Sequence, residues 1–144
     1  MPALGESGQG GLSLEGLKSC AARLLASLPV GAVVWLEGEL GTGKTTCARL
    51  LVDAAGGEAA SSPTFALVNE YSTAEGDIYH ADCYRLRSED EAVDLDLWRL
   101  ARQCRLLLVE WPHRAGEHVP PPTVKVKFGH ADDPDFRIVS VLRC

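Results

Sequence analysis

Residues 38 to 45 read GELGTGKT, placing two glycines, a lysine and a threonine at the spacing G-x-x-x-x-G-K-[ST] directly after the apolar run AVVWL. Each fixed position has a chemical reason. Gly38 and Gly43, with Gly41 adding freedom, let the backbone curl so that successive N–H groups face an anion, and the loop opens into a helix whose positive end faces the same anion. Glu39, Leu40, Gly41, Thr42, Gly43, Lys44, Thr45 and Thr46 are therefore the expected phosphate cradle for a nucleotide. Lys44 is expected to reach the β- and γ-phosphates, and the Thr45 hydroxyl to ligate a bridging magnesium ion. Ordinary residue frequencies give a chance match in a chain of this length odds of about half a percent. The position between a strand pattern and a helix pattern is the one the chemistry requires.

Such a loop needs a carboxylate to hold the metal or its water shell, commonly at the end of a neighbouring strand. Glu110 closes RLLLVE, and an acid after four apolar residues, at the sheet edge where ligands bind, favours that role over an ordinary polar strand end. Asp82 closes IYHAD; pattern alone leaves it open between a site residue and a solvated acid. Ser62, Pro63 and Thr64 in SSPTF fit a γ-phosphate-sensing switch and an ordinary turn equally. Trp111 beside Pro112 is either core packing or a partner-binding anchor. His80, His113, His118 and His130 show no ligand spacing.

These residues need elements to position them. Leu14, Leu17, Ala21, Leu24, Leu25 and Leu28 fall at helical spacing with Ser13 as N-cap, and Pro29 and Gly31 end that helix. Ala32 to Leu36 reads as a fully buried strand. KTTCARLLVDAA, from Lys44 to Ala55, reads as a helix stopped by Gly56-Gly57. FALVNEY and DIYHADCY, separated by STAEG, predict an antiparallel hairpin. Ser88 and Glu91 form a capping-box pattern for a helix running to Gln103, with a break near Asp94 to Asp96. RLLLVEW is a second buried strand stopped by Pro112. Beyond the VPPP spacer, TVKVKF and FRIVSV alternate as half-exposed strands joined by a loop containing DDPD.

Composition narrows the class. With 144 residues and 46% hydrophobic content, the chain fits one domain over residues 13 to 144 behind a flexible tail, 1 to 12. Such a domain buries roughly two-thirds of its unfolded surface. No apolar run approaches the roughly 20 residues of a membrane span, and the first eleven residues lack signal-peptide character, so a cytoplasmic location is expected. The five cysteines are odd in number and contain no CxxC pair, arguing against a disulfide framework or zinc site. A net charge of -6 disfavours direct gripping of a nucleic-acid backbone.

In order along the chain, GELGTGKTT, SSPTFALVNEY, IYHADCYRL and LVEWP resemble the bacterial TsaE family, the ATPase of tRNA threonylcarbamoyladenosine biosynthesis. The likeness covers residues 13 to 142. The first motif is common to all P-loop proteins; His80-Ala81-Asp82-Cys83-Tyr84-Arg85-Leu86 and Val109 to Pro112 are much narrower. The resemblance implies a P-loop NTPase-like, three-layer α/β fold with a parallel core sheet extended by antiparallel strands. It implies ATP and Mg2+ as cofactors, TsaD- and TsaB-like proteins as partners, and tRNA contact only through that complex. In that system TsaD carries out the carbamoyl transfer to adenosine 37 of tRNAs reading codons that begin with A. By position, Lys44 and Thr45 would bind phosphate and metal and Glu110 would complete the magnesium site. Asp82, Thr64 and Trp111 match positions tied to activity. Departures are Thr42 where alanine is common, Cys83 in place of an apolar residue, and a loop over Asp132 to Asp135 without the usual glycine-arginine. That last departure leaves Arg137 as a weak substitute.

The expected chemistry is slow hydrolysis of the β–γ bond by an in-line water, charge being stabilised by loop amides, Lys44 and magnesium. Two other readings compete. A small-molecule kinase would need a lid carrying arginines, for which Arg99, Arg102 and Arg105 are candidates, although their spacing also suits a solvated helix face. A non-catalytic ATP sensor would bind without cleaving. The absence of NKxD argues against guanine recognition.

Overall fold

The computed structural model describes residues 11–59 and 67–144. Helix α1 (Leu14–Ser27) starts where expected: Ser13 is extended and its hydroxyl accepts from the Gly16 N–H at 3.1 Å. Strand β1 (Ala32–Gly38) leads through the glycine loop into α2 (Lys44–Ala54). A short β2 (Glu58–Ala59), which had no sequence signal, precedes the hairpin of β3 (Val68–Thr73) and β4 (Gly76–Asp82). The hairpin turn is tighter than STAEG suggests, because Thr73 already pairs with Gly76. The Thr73 hydroxyl braces it by donating to the Gly76 carbonyl at 2.6 Å and accepting from the Glu75 N–H at 3.1 Å.

The expected helix to Gln103 is two pieces, a 3-10 segment Glu89–Leu95 and helix α3 (Leu97–Gln103), divided at Asp96 with φ 53°. The capping box at its start does not close. The Ser88 side chain makes no cap bond, and the Glu91 carboxylate accepts from the Arg87 N–H instead. Strand β5 (Leu106–Glu110) follows, then a 3-10 segment Pro112–His118, β6 (Val124–His130) and β7 (Arg137–Arg143). Residues 1–10 of the expected tail lie outside the described residues. Leu12, placed in that tail by the sequence, instead exchanges both backbone hydrogen bonds with Arg137, at 2.6 and 2.8 Å.

One seven-stranded sheet runs in the order β2-β3-β4-β5-β1-β6-β7. The four central strands β4, β5, β1 and β6 are parallel, and antiparallel strands extend them at both ends. Helices α1 and α2 cover one face, packing Leu24 and Leu51 on Val34, Leu36, Leu106, Leu108, Val124 and Val126. The two 3-10 segments and α3 cover the other face over Tyr79, Ala81, Leu107 and Val109. Covered on both sides, β5 is buried at all five positions, which is why its sequence runs apolar without alternation. Cys20, Cys47, Cys83 and Cys104 are buried free thiols and Cys144 is exposed. No helix among the described residues is long and apolar enough to cross a membrane.

Leu51 is fully buried between α2 and the sheet. Leu51→Ala is expected to cost about 2–5 kcal/mol of folding stability, measured as a fall in the urea midpoint with an unchanged slope.

Candidate functional site

Parallel strands deliver their C-terminal ends to one edge, and here that edge carries the charges. Gly38 ends β1, Asp82 ends β4 and Glu110 ends β5; Glu110 sits opposite Leu36 on one side and Asp82 on the other. The glycine loop crosses above them. Gly38, Gly41 and Gly43 have φ of 149°, 75° and 109°, conformations that side-chain-bearing residues rarely adopt. At Gly38 crowding adds to this, since a Cβ would lie 2.6 Å from the Phe128 carbonyl oxygen and 2.8 Å from the Thr42 hydroxyl. Thr42 points inward and donates to the Glu39 carbonyl at 2.6 Å, so it braces the loop.

Lys44 is only 4% exposed. Its ammonium donates to the carbonyls of Gly38 and Glu39, the latter at 2.8 Å, and lies 4.5 Å from the centre of the Trp111 ring. Burial pulls the Lys44 pKa below its ordinary value, against the opposing attraction of Glu110 and Asp82. Trp111 reaches this position through a left-handed backbone, φ 56°, immediately before Pro112, where the ordinary helical conformation is disfavoured. Its ring also packs against Tyr84, centroids 5.0 Å apart, and Arg114 lies 5.2 Å from the Tyr84 ring centre.

Glu110 is 3% exposed. The Thr45 hydroxyl lies 3.0 Å from each of its carboxylate oxygens, and His80 Nε2 lies 2.6 Å from Oε2. Burial pushes the carboxyl upward, but the hydrogen bond and charge of His80, the Thr45 hydroxyl and the Lys44 charge outweigh it. The group titrates below its ordinary value. Asp82 accepts from the Tyr84 N–H at 3.0 Å. Neighbouring Cys83 is no nucleophile: burial, with Asp82 and Glu110 nearby, pushes its thiol up to about 12.

A cleft of about 380 Å3 opens over these groups. It brings together Leu40, Gly41, Gly43, Lys44, Thr45, Thr46, Asp82 and Glu110 of the expected set, with Trp111. Glu39 and Thr42 do not line it; they shape the loop from behind. Thr64 lies outside the described residues. Leu12, Ser13, Leu14 and Leu17 from the start of α1 also line the cleft, which the sequence did not indicate, together with Pro134, Asp135 and Arg137 of the C-terminal hairpin, where the sequence offered Arg137 as a weak substitute. Arg137 passes over Gly43, but Nη1 is held by the carbonyls of Pro134 and Phe136 at 2.6 and 2.8 Å. Leu14 and Leu40 stand 62% and 61% exposed at the mouth. Arg99, Arg102 and Arg105 form no lid over the cleft. Arg99 pairs with Asp96 at 2.7 Å, and Arg102 is exposed. Arg105, off the helix face suggested for it, is buried against Glu75 and the carbonyls of Leu25 and Pro29.

The family model for the threonylcarbamoyl adenosine biosynthesis protein TsaE matches residues 12–138. The chain belongs to the TsaE family. A Rickettsia bellii protein named tRNA threonylcarbamoyladenosine biosynthesis protein TsaE is 37% identical over 131 residues, 90% of each chain. A Bacillus subtilis protein of the same name is 34% identical over 125 residues, 86% of this chain and 78% of its relative. The crystal structure of Bacillus subtilis YdiB superposes with a TM-score of 0.69 at 27% identity, covering 92% of this chain and 82% of that one. The family belongs to tRNA threonylcarbamoyladenosine biosynthesis, and its matched region contains every residue lining the cleft.

The glycine geometry sets an order of tolerance. Nothing lies within 4 Å of a Cβ built at Gly41, so Gly41→Ala is expected to cost only the left-handed backbone term, on the order of 1–2 kcal/mol. Gly38→Ala adds the clash with Phe128 and should be the more destabilising of the two in chemical denaturation.

Proposed function

We propose that this chain binds ATP with Mg2+ and hydrolyses it, as the ATPase component of threonylcarbamoyladenosine formation at adenosine 37 of tRNA. It would act beside TsaD- and TsaB-like proteins and meet tRNA only through that complex. The observation that carries the reading is the convergence of Thr45 and Glu110 at 3.0 Å beneath the glycine loop, with Lys44 above the same edge.

The donor set suits the ion. Thr45 and Glu110 offer oxygen atoms, and Asp82 stands next in register; Mg2+ takes oxygen ligands and is commonly held by one or two carboxylates plus phosphate and water. No cluster of three or more His, Cys, Asp or Glu among the described residues is placed to hold a metal by itself, in keeping with an ion that arrives with a nucleotide. When bound, Mg2+ would neutralise charge on the β- and γ-phosphate oxygens.

The chain's own groups do the rest. The loop amides and the unobstructed start of α2 receive the phosphates. Lys44 exchanges its loop carbonyls for phosphate oxygens and stabilises charge as the bond to the leaving β-phosphate oxygen lengthens. A water attacks the γ-phosphorus in line, its oxygen forming the new bond as the bridging oxygen departs with ADP. Asp82 lines the cleft beside Glu110 and is the acceptor available to orient the water and take its proton. Arg137 lines the cleft but is tied to its own loop carbonyls, which supports slow turnover by the isolated chain. Arg99 and Arg105 are engaged elsewhere, which weighs against a kinase lid.

Lys44→Ala is expected to lower ATP turnover at least about a hundredfold and to weaken ATP binding in calorimetry. Reconstituted tRNA modification containing this variant should resemble the reaction lacking the protein. Unchanged ATP affinity in the variant would overturn the reading.

A further inference from the structure

His80 has no place in the phosphate cradle, yet it makes the shortest contact to the carboxylate beneath it. It lies on β4 two residues before Asp82, so strand alternation puts both on the face covered by α1 and α2. In the parallel pairing, His80 stands opposite Leu108 and Asp82 opposite Glu110. The imidazole therefore reaches diagonally forward along the sheet to the next same-face position of β5. Its Nε2 arrives 2.6 Å from Glu110 Oε2, with the two residues 7% and 3% exposed. An ionised carboxylate only accepts, so Nε2 carries the proton of this pair. Thr45 approaches the same carboxylate from the first turn of α2. The carboxylate is thus gripped from a neighbouring strand and from the glycine-loop helix at once. Because His80 occupies Oε2, Oε1 retains only the Thr45 contact among the described hydrogen bonds.

We infer that His80 is a positioning residue for Glu110, fixing the carboxylate plane so that Oε1 is held ready for the ion that accompanies the nucleotide. The inference rests on the function proposed above and assigns a role to a residue outside the loop and outside the strand-end acids. The same contact also gives each buried group a partner, so the test must separate positioning of the carboxylate from its stabilisation. A positioned carboxylate keeps one orientation before ligand arrives, as partners behind metal-binding groups generally do, and their loss typically lowers metal affinity or activity about 10–100-fold.

The test compares wild type, His80→Leu and His80→Gln, the glutamine amide being able to donate from near the Nε2 position. ADP affinity is measured by calorimetry without Mg2+ and with saturating Mg2+, together with kcat and KM for ATP and a thermal melt. In His80→Leu, Mg2+-free ADP affinity should stay within about twofold, while the gain in affinity given by Mg2+ and the value of kcat fall by about 10–100-fold. His80→Gln should recover most of both. A folded His80→Leu protein with the wild-type Mg2+ gain overturns the inference, as does an equal loss of ADP affinity with and without Mg2+. If His80→Leu does not fold, His80→Gln is compared with His80→Asn, whose donor is too short to reach; equal behaviour of those two overturns the inference. A wild-type protein showing no Mg2+ gain overturns the functional reading itself, a failure visible before any variant is made.

Discussion

An ionised carboxylate has to be kept under the surface at the end of a strand made of three leucines and a valine. A buried charge without partners costs several kcal/mol, and the usual escape is to take up a proton. Glu110 stays below its ordinary pKa because an imidazole from β4, a hydroxyl from α2 and the ammonium of Lys44 surround it. That solution holds two elements, β4 and α2, in fixed register with the end of β5. The parallel pairing of β4 with β5 and of β5 with β1 supplies it. Loosening any of the three would leave a charge that the interior cannot tolerate.

The opposite charge raises the same problem a few ångströms away. Lys44 settles it by turning loop carbonyls inward and by lying against an indole face. Both arrangements are local to the glycine loop and its rim, and both depend on unusual backbone. Gly38 allows the loop to press against β6, and Trp111 takes up a left-handed conformation to place its ring. Strain of this kind persists where surrounding packing over-determines it, here through the tilted packing of Tyr84 against Trp111 and the closure of the loop by Thr42.

Local chemistry was legible in the sequence where each residue type has one mechanical use. The glycine loop between β1 and α2 needs particular residues at particular steps, and the double burial of β5 shows as an unbroken apolar run. What lay beyond reach depended on pairing between distant segments. His80 attracts no notice in a search for ligand spacing, because its partner is on another strand and only the register of β4 against β5 joins them. Thr42 reads as a departure from a common alanine, and its brace to Glu39 becomes visible only in three dimensions. Arg105 follows α3 so closely that it reads as part of the helix face, although burial at the start of β5 draws it to the carbonyls at the end of α1. The Ser88–Glu91 pattern failed for a local reason, since Glu91 found the Arg87 N–H before it found that of Ser88.

The two sides of the cleft are built from unlike material. One is a glycine loop welded between a central strand and a helix. The other is an N-terminal turn and a C-terminal hairpin joined through the paired amides of Leu12 and Arg137, a link worth on the order of 1–3 kcal/mol besides the packing of Leu12. The phosphate end is set by the central sheet, whereas the other side is tied together by two amide hydrogen bonds that belong to no rung of the central ladder.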